Sequence, residues 1–73
     1  MKAGDLLHLT RAASPQFIQP ILFRVIKRAQ PDAYNGWAWI EGYQLDASGK
    51  AVTRREVYVH AAGVQLLRGG PQP

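Results

Sequence analysis

The residues of this chain that could carry acid–base chemistry are few and lie far apart along its 73 positions. They are Asp5, Asp32, Glu41, Asp46, Glu56, His8 and His60. Neither histidine has another ligand near it in the sequence, whereas a zinc site needs three or four. The chain contains no cysteine, which excludes both a thiolate ligand and a disulfide. We therefore expect no metal site and no cofactor.

Nucleophilic catalysis is not indicated either. The two serines are Ser14, which precedes a proline, and Ser48, which lies in a predicted turn. Neither stands in a nucleophile-elbow pattern, and the chain has neither a phosphate-binding loop nor a dinucleotide fingerprint. A catalytic site would have to be assembled from unrelated loops. We expect a protein that is not an enzyme.

The most suggestive residues are aromatic and basic side chains around one predicted hairpin. The aromatic candidates are Tyr34, Trp37, Tyr43 and Tyr58, and the basic candidates are Arg24, Lys27, Arg28, Arg54 and Arg55. Aromatic rings on a β surface stack on bases, and arginines contact phosphates. The net charge of +4 favours an anionic partner. The alternative is that this charge serves only solubility.

Two structural requirements limit this set. A chain this small needs at least one tryptophan in its core, and we expect Trp39 there and Trp37 at the surface. The alternative is that both tryptophans lie in the core. Because neighbouring strand residues point to opposite faces, Arg54 and Arg55 should diverge, while Arg24 and Arg28 should share a face.

The elements that must position these residues read as strands. Apolar residues alternate over 5–11, with Leu7 and Leu9 on one side, and over 21–28, with Ile21, Phe23 and Val25 on one side. Residues 30–36 predict a loop, 37–45 a third strand, 52–60 a fourth, and 64–67 a short last strand after a break at 61–63. Prolines 15 and 20 disfavour a helix across 14–22.

The third and fourth strands are predicted to form a hairpin through Asp46-Ala47-Ser48-Gly49-Lys50. Asp suits the first position of a type I turn, and Gly49 suits the left-handed position that closes a three-residue loop. This turn predicts a register in which paired residue numbers sum to 96. Trp39 would then face Val57 and Glu41 would face Arg55. Gly42, in mid-strand, predicts a bend or bulge.

Five short strands, the long hairpin and the segment Val57-Tyr58-Val59-His60-Ala61-Ala62-Gly63-Val64-Gln65-Leu66-Leu67 resemble the Src-homology-3-like small barrels. The resemblance implies an all-β, five-stranded open barrel with a short 3₁₀ turn before the last strand. It covers residues 1–67 as one domain, followed by a Gly/Pro-rich tail over 68–73. The proline-binding tyrosine pair of that family is not evident, and the fold alone does not select a function.

We therefore expect a small binding module with nucleic acid as its partner. The alternatives are a protein-binding adaptor or small regulator that uses the same hairpin or a sheet edge, and a structural subunit of an assembly. A domain this small without a disulfide also makes a homodimer plausible. No stretch resembles a signal peptide or a membrane span, so we expect a cytoplasmic protein without membrane contact.

Overall fold

The computed structural model describes residues 2–31 and 36–69, except for the side chains of residues 28–31. The fold is all-β, as the alternation predicted. Its elements are β1 (Leu6–Leu9), β2 (Ile21–Pro31), β3 (Trp37–Leu45), β4 (Ala51–His60), a 3₁₀ turn (Ala61–Gly63) and β5 (Gln65–Arg68). The five strands and the 3₁₀ turn confirm the predicted element order.

The strands form one antiparallel sheet in the order β4-β3-β2-β1-β5. Among the described residues β4 and β5 are the two end strands and do not pair with each other, so the sheet is not closed. The predicted tail begins at Arg68, the last residue of β5, and its residues 70–73 lie outside the described part. No helix in the described ranges is long and apolar enough to cross a membrane.

The core lies on one face of the sheet, called here the inner face. Alternate residues of β1 to β4 line it, as the period-2 pattern predicted for the first two strands. The buried side chains include Leu7, Leu9, Phe23, Val25, Ile40, Val57 and Val59. The loop over residues 10–20 covers this face by inserting Ala13 and Phe17 into the core. It is joined to the end of β4 by a hydrogen bond from the His60 amide to the Ala13 carbonyl, 2.6 Å long.

The turn between β3 and β4 has the predicted geometry. Gly49 is in the left-handed region with φ of 88°, and its amide donates to the carbonyl of Asp46 over 3.0 Å. The Asp46 carboxylate accepts hydrogen bonds from the amides of Ser48 and Lys50. The side-chain hydroxyl of Ser48 donates to the same carboxylate and is the largest cause of the lowered pKa of Asp46, and the two amides lower that pKa further. The turn thus starts β3 and β4 in a register whose numbers sum to 96.

That register holds for only one further pair, and the predicted register of the hairpin is wrong beyond it. Leu45 pairs with Ala51, but a bulge follows, and Gln44 pairs with Thr53. Val52 is the extra residue on β4, so all later pairs sum to 97. Successive side chains of a strand point to opposite faces. A shift of one residue therefore changes which side chains of β3 lie on the same face as a given side chain of β4.

The shifted register corrects the prediction for the tryptophan core. Ile40 pairs with Val57 and Ala38 with Val59, and all four side chains are buried. Trp39 pairs instead with Tyr58 on the opposite face and is 44% exposed. The core position predicted for Trp39 is therefore wrong, and small and aliphatic residues of β3 occupy the inner face.

A second bulge confirms the irregularity predicted at Gly42. Val25 pairs with Gly42, and the next pair along the strands is Lys27 with Glu41, so β2 carries one extra residue. A Cβ on Gly42 would overlap the carbonyl oxygen of Arg24 and approach Phe23 Cε2 to 2.7 Å. Glycine permits the close approach of β2 and β3 at this bend. The bulge also removes the simple alternation from which a shared face for Arg24 and Arg28 was predicted.

Candidate binding face

The surface opposite the core, called here the outer face, carries most of the candidate side chains. Three strands position it: β2, β3 and β4. Its residues, given by the register of paired neighbours, are Arg24, Lys27, Trp37, Trp39, Glu41, Tyr43, Arg54, Glu56, Tyr58 and His60. Directly opposed residues on antiparallel strands project on the same side, so these side chains form successive rows across the strands.

One end of the outer face is aromatic. The ring of Tyr58 contacts both tryptophans, with centroid distances of 5.2 Å to Trp37 and 4.9 Å to Trp39. His60 adds a fourth ring, 5.4 Å from Trp37. Trp37 is half-buried by these neighbours while Trp39 remains exposed. The ring available for stacking with a partner at this end is therefore Trp39.

The other end of the outer face is basic around one aromatic ring. Tyr43 pairs with Arg24 on one side and with Arg54 on the other. Tyr43 is 37% exposed, and Nη1 of Arg24 donates to the carbonyl of Gly4 over 2.8 Å, which fixes that guanidinium beside β1. The row Arg24–Tyr43–Arg54 therefore pairs an exposed tyrosine with one arginine on each neighbouring strand.

Between the two ends lies a row that contains both signs of charge. Lys27 pairs with Glu41, which pairs with Glu56. The Glu41 carboxylate also forms an ion pair with Arg54, whose Nε and Nη2 both donate to Oε2. The hydrogen bond to Glu41 raises the pKa of the Arg54 guanidinium above its ordinary value. The Glu41–Arg55 pair expected from the sequence is replaced by this pair because the register is shifted by one residue.

Arg55 belongs to the opposite side of β4, so the predicted divergence of Arg54 and Arg55 is confirmed. Its Nη1 donates to Gln44 over 2.9 Å and its Nη2 donates to Gln16 over 3.3 Å. Its guanidinium carbon lies 5.9 Å from the centroid of the Phe17 ring. These contacts join β4 to the loop over residues 10–20 and separate Arg55 from the other candidate cations.

The remaining candidates are distributed as follows. Trp37, Tyr43, Tyr58, Arg24, Lys27 and Arg54 come together on the outer face. Arg28 pairs with Ile40 through its backbone, but its side chain lies outside the described part. Tyr34 also lies outside the described residues. Four residues that sequence reasoning did not select also belong to the face: Trp39, Glu41, Glu56 and His60. The one-residue bulge that sets their pairing has no signal in the hairpin sequence.

No group of three potential metal ligands lies together within the described ranges. The outer face instead carries a group of aromatic rings at one end and, at the other, an exposed tyrosine paired with two arginines. Comparison of the chain with protein-family models, with curated proteins and with solved structures found no match.

Proposed function

We propose that this protein is a non-enzymatic binding module that binds nucleic acid through the outer face of β2, β3 and β4. The observation that carries the proposal is the row Arg24–Tyr43–Arg54, in which an exposed tyrosine is paired with an arginine on each of the two neighbouring strands. Guanidinium groups pair with phosphate oxygens, and an adjacent ring can stack on the attached base.

Charge and exposure support the same choice. The whole chain carries +4, which attracts polyanions at long range. On the outer face three cations, Arg24, Lys27 and Arg54, are set against Glu41 and Glu56. This small excess predicts weak binding, in the micromolar range or above at physiological salt. A phosphate backbone would contact the Tyr43 end more favourably than the central row.

The finer description of the fold is part of the proposal. We infer a small open barrel of the Src-homology-3-like kind, and three features support it: the strand order, the 3₁₀ turn before β5, and the loop over 10–20 that covers the inner face.

Titration with mixed-sequence oligonucleotides of DNA and RNA, single- and double-stranded, tests the proposal. At low salt, about 50 mM, the proposal predicts saturable binding with quenching of tryptophan fluorescence by stacking at Trp39. Absence of binding to every oligonucleotide under these conditions would overturn it.

A protein partner is the second candidate, favoured by a different surface. β5 ends the sheet, all four of its residues are exposed, and Leu66 and Leu67 are 60% and 53% exposed. An unpaired strand edge can add a strand from a partner. We propose a second copy of this chain as that partner, since the chain has no disulfide to reinforce a small core. Sedimentation at micromolar concentration tests this: a dimer that Leu66→Lys dissociates supports it, and a monomer at 8.1 kDa excludes it.

A further inference from the structure

We propose that the nucleic acid recognised by the outer face is single-stranded, and that Tyr43 is the position at which a base stacks. This inference rests on the proposed function and names its substrate class. Its basis is the kind of contact that the face offers: exposed rings on an open strand surface, one of which, Tyr43, is paired with an arginine on each neighbouring strand.

The rings require an accessible base face. In a duplex each base face is covered by its stacked neighbours, and a protein reaches only base edges and phosphates through the grooves. Bases of a single strand can turn away from their neighbours and stack on a protein ring. Trp39 and Tyr43 are both exposed on β3, so the outer face provides two stacking surfaces.

The spacing of these surfaces also fits an extended strand. Trp39 and Tyr43 are four positions apart on β3, which corresponds to about 13 Å along the strand. The interval is occupied by Glu41, whose carboxylate would repel a phosphate placed there. We infer that the phosphates run along β2, which carries Lys27 and Arg24 next to β3, while the bases turn towards the rings.

Tyr43 is distinguished from Trp39 by its cations. Arg24 and Arg54 lie directly opposite it on the two neighbouring strands, whereas Trp39 is paired with another ring, Tyr58. A nucleotide at Tyr43 would therefore combine stacking with phosphate contact, and one at Trp39 would stack only. Loss of the Tyr43 ring should accordingly reduce affinity for single strands.

The test compares a 12-nucleotide single strand with the matching 12-base-pair duplex by fluorescence anisotropy at low salt. We expect the single strand to bind at least ten-fold more tightly. Tyr43→Ala should weaken single-strand binding by about five-fold or more, the usual contribution of one stacked base. Tyr43→Phe, which keeps the ring, should retain the affinity of the native protein, and Tyr43→Ala should weaken single-strand binding more than duplex binding. Circular dichroism establishes that each variant is folded.

The outcomes separate the inference from the proposed function. Equal or tighter binding of the duplex overturns the single-strand assignment and leaves nucleic-acid binding standing. Single-strand preference that Tyr43→Ala does not alter overturns the role of Tyr43. Tryptophan quenching of the native protein by the single strand, but not by the duplex, supports the assignment without any variant. Absence of binding to both would overturn the proposed function itself.

Discussion

The carboxylate of Glu41 holds the guanidinium of Arg54 from a diagonal position across β3 and β4, while Tyr43 stands directly opposite that arginine. Both hydrogen bonds from Arg54 end on the same oxygen, Oε2. A phosphate approaching Tyr43 would therefore compete with Glu41 for Arg54. In the proposed complex with nucleic acid, Glu41 would therefore limit the affinity of the basic end of the outer face.

Replacing Glu41 by glutamine should tighten binding to single-stranded nucleic acid. The change removes one negative charge and leaves Arg54 to a phosphate, which should steepen the slope of log affinity against log salt by about 0.7. Glu56→Gln is the matched control, since it removes the same charge from the same row without releasing Arg54. Equal effects of the two variants would show that Arg54 gains no phosphate contact when Glu41 no longer holds it.

The face assignment of β3 predicts unequal effects of neighbouring substitutions on stability. Ile40 is fully buried against Val57, and Ile40→Ala should lower the free energy of unfolding by about 2–5 kcal/mol. Ile40→Val, which stays folded more readily, should cost about 0.5–1.5 kcal/mol. Trp39→Ala should cost about 0.5–1.5 kcal/mol through the lost ring contact with Tyr58. Urea unfolding measures all three; a greater loss at Trp39 than in Ile40→Ala would contradict the observed register.

The left-handed conformation of Gly49 predicts that a side chain at this position destabilises the fold through backbone strain and not through a steric clash. Among the described residues, and apart from its two chain neighbours, no atom lies within 4 Å of a Cβ placed there, so only the φ of 88° opposes a side chain. Gly49→Val should reduce the free energy of unfolding by about 1–2 kcal/mol. Gly49→Asn should cost less, because asparagine tolerates this region. Equal melting temperatures for the valine variant and the native protein would exclude the turn described here.

The Asp46 carboxylate predicts a pH dependence of the hairpin. Its pKa in the folded protein lies below the ordinary value of 3.8, because Ser48 and Lys50 donate to it. The carboxylate therefore stabilises the fold above the unfolded pKa, and this contribution is lost as the pH falls through the folded pKa. Asp46→Ala should melt at a lower temperature than the native protein at pH 6, and the difference should shrink below about pH 4. A difference that is constant from pH 6 to pH 2 would contradict this role.

Much of the fold could be predicted from the sequence because local patterns determine it. Alternation identified the inner residues of β1 and β2, Gly49 marked the turn, and Gly42 marked a bend. The face of β3 could not be predicted in the same way. Trp37, Trp39, Ala38 and Ile40 allow either face to be apolar, so the choice depends on register.

The register itself depends on one residue, Val52, whose bulge adjoins the turn. A bulge of this kind depends on the twist of the two paired strands, which the four or five residues of the turn do not encode. The arrangement of the candidate site depends on the same register. The basic end of the outer face follows from the pairing of Tyr43 with Arg24 and Arg54. The register predicted from the sequence instead pairs Tyr43 with Thr53, so it does not predict this end.

The most direct test of the proposed binding face is the salt dependence of affinity for a single-stranded oligonucleotide, measured for the native protein, Lys27→Gln and Arg11→Gln. Lys27 lies on the outer face, whereas Arg11 is exposed on the loop that covers the inner face, and each substitution removes one positive charge. With Arg24 and Lys27 contacting phosphates, the native slope should be about −1.4. Lys27→Gln should flatten it by about 0.7 and Arg11→Gln should leave it unchanged. Equal flattening by both variants, or by Arg11→Gln alone, would contradict binding through the outer face.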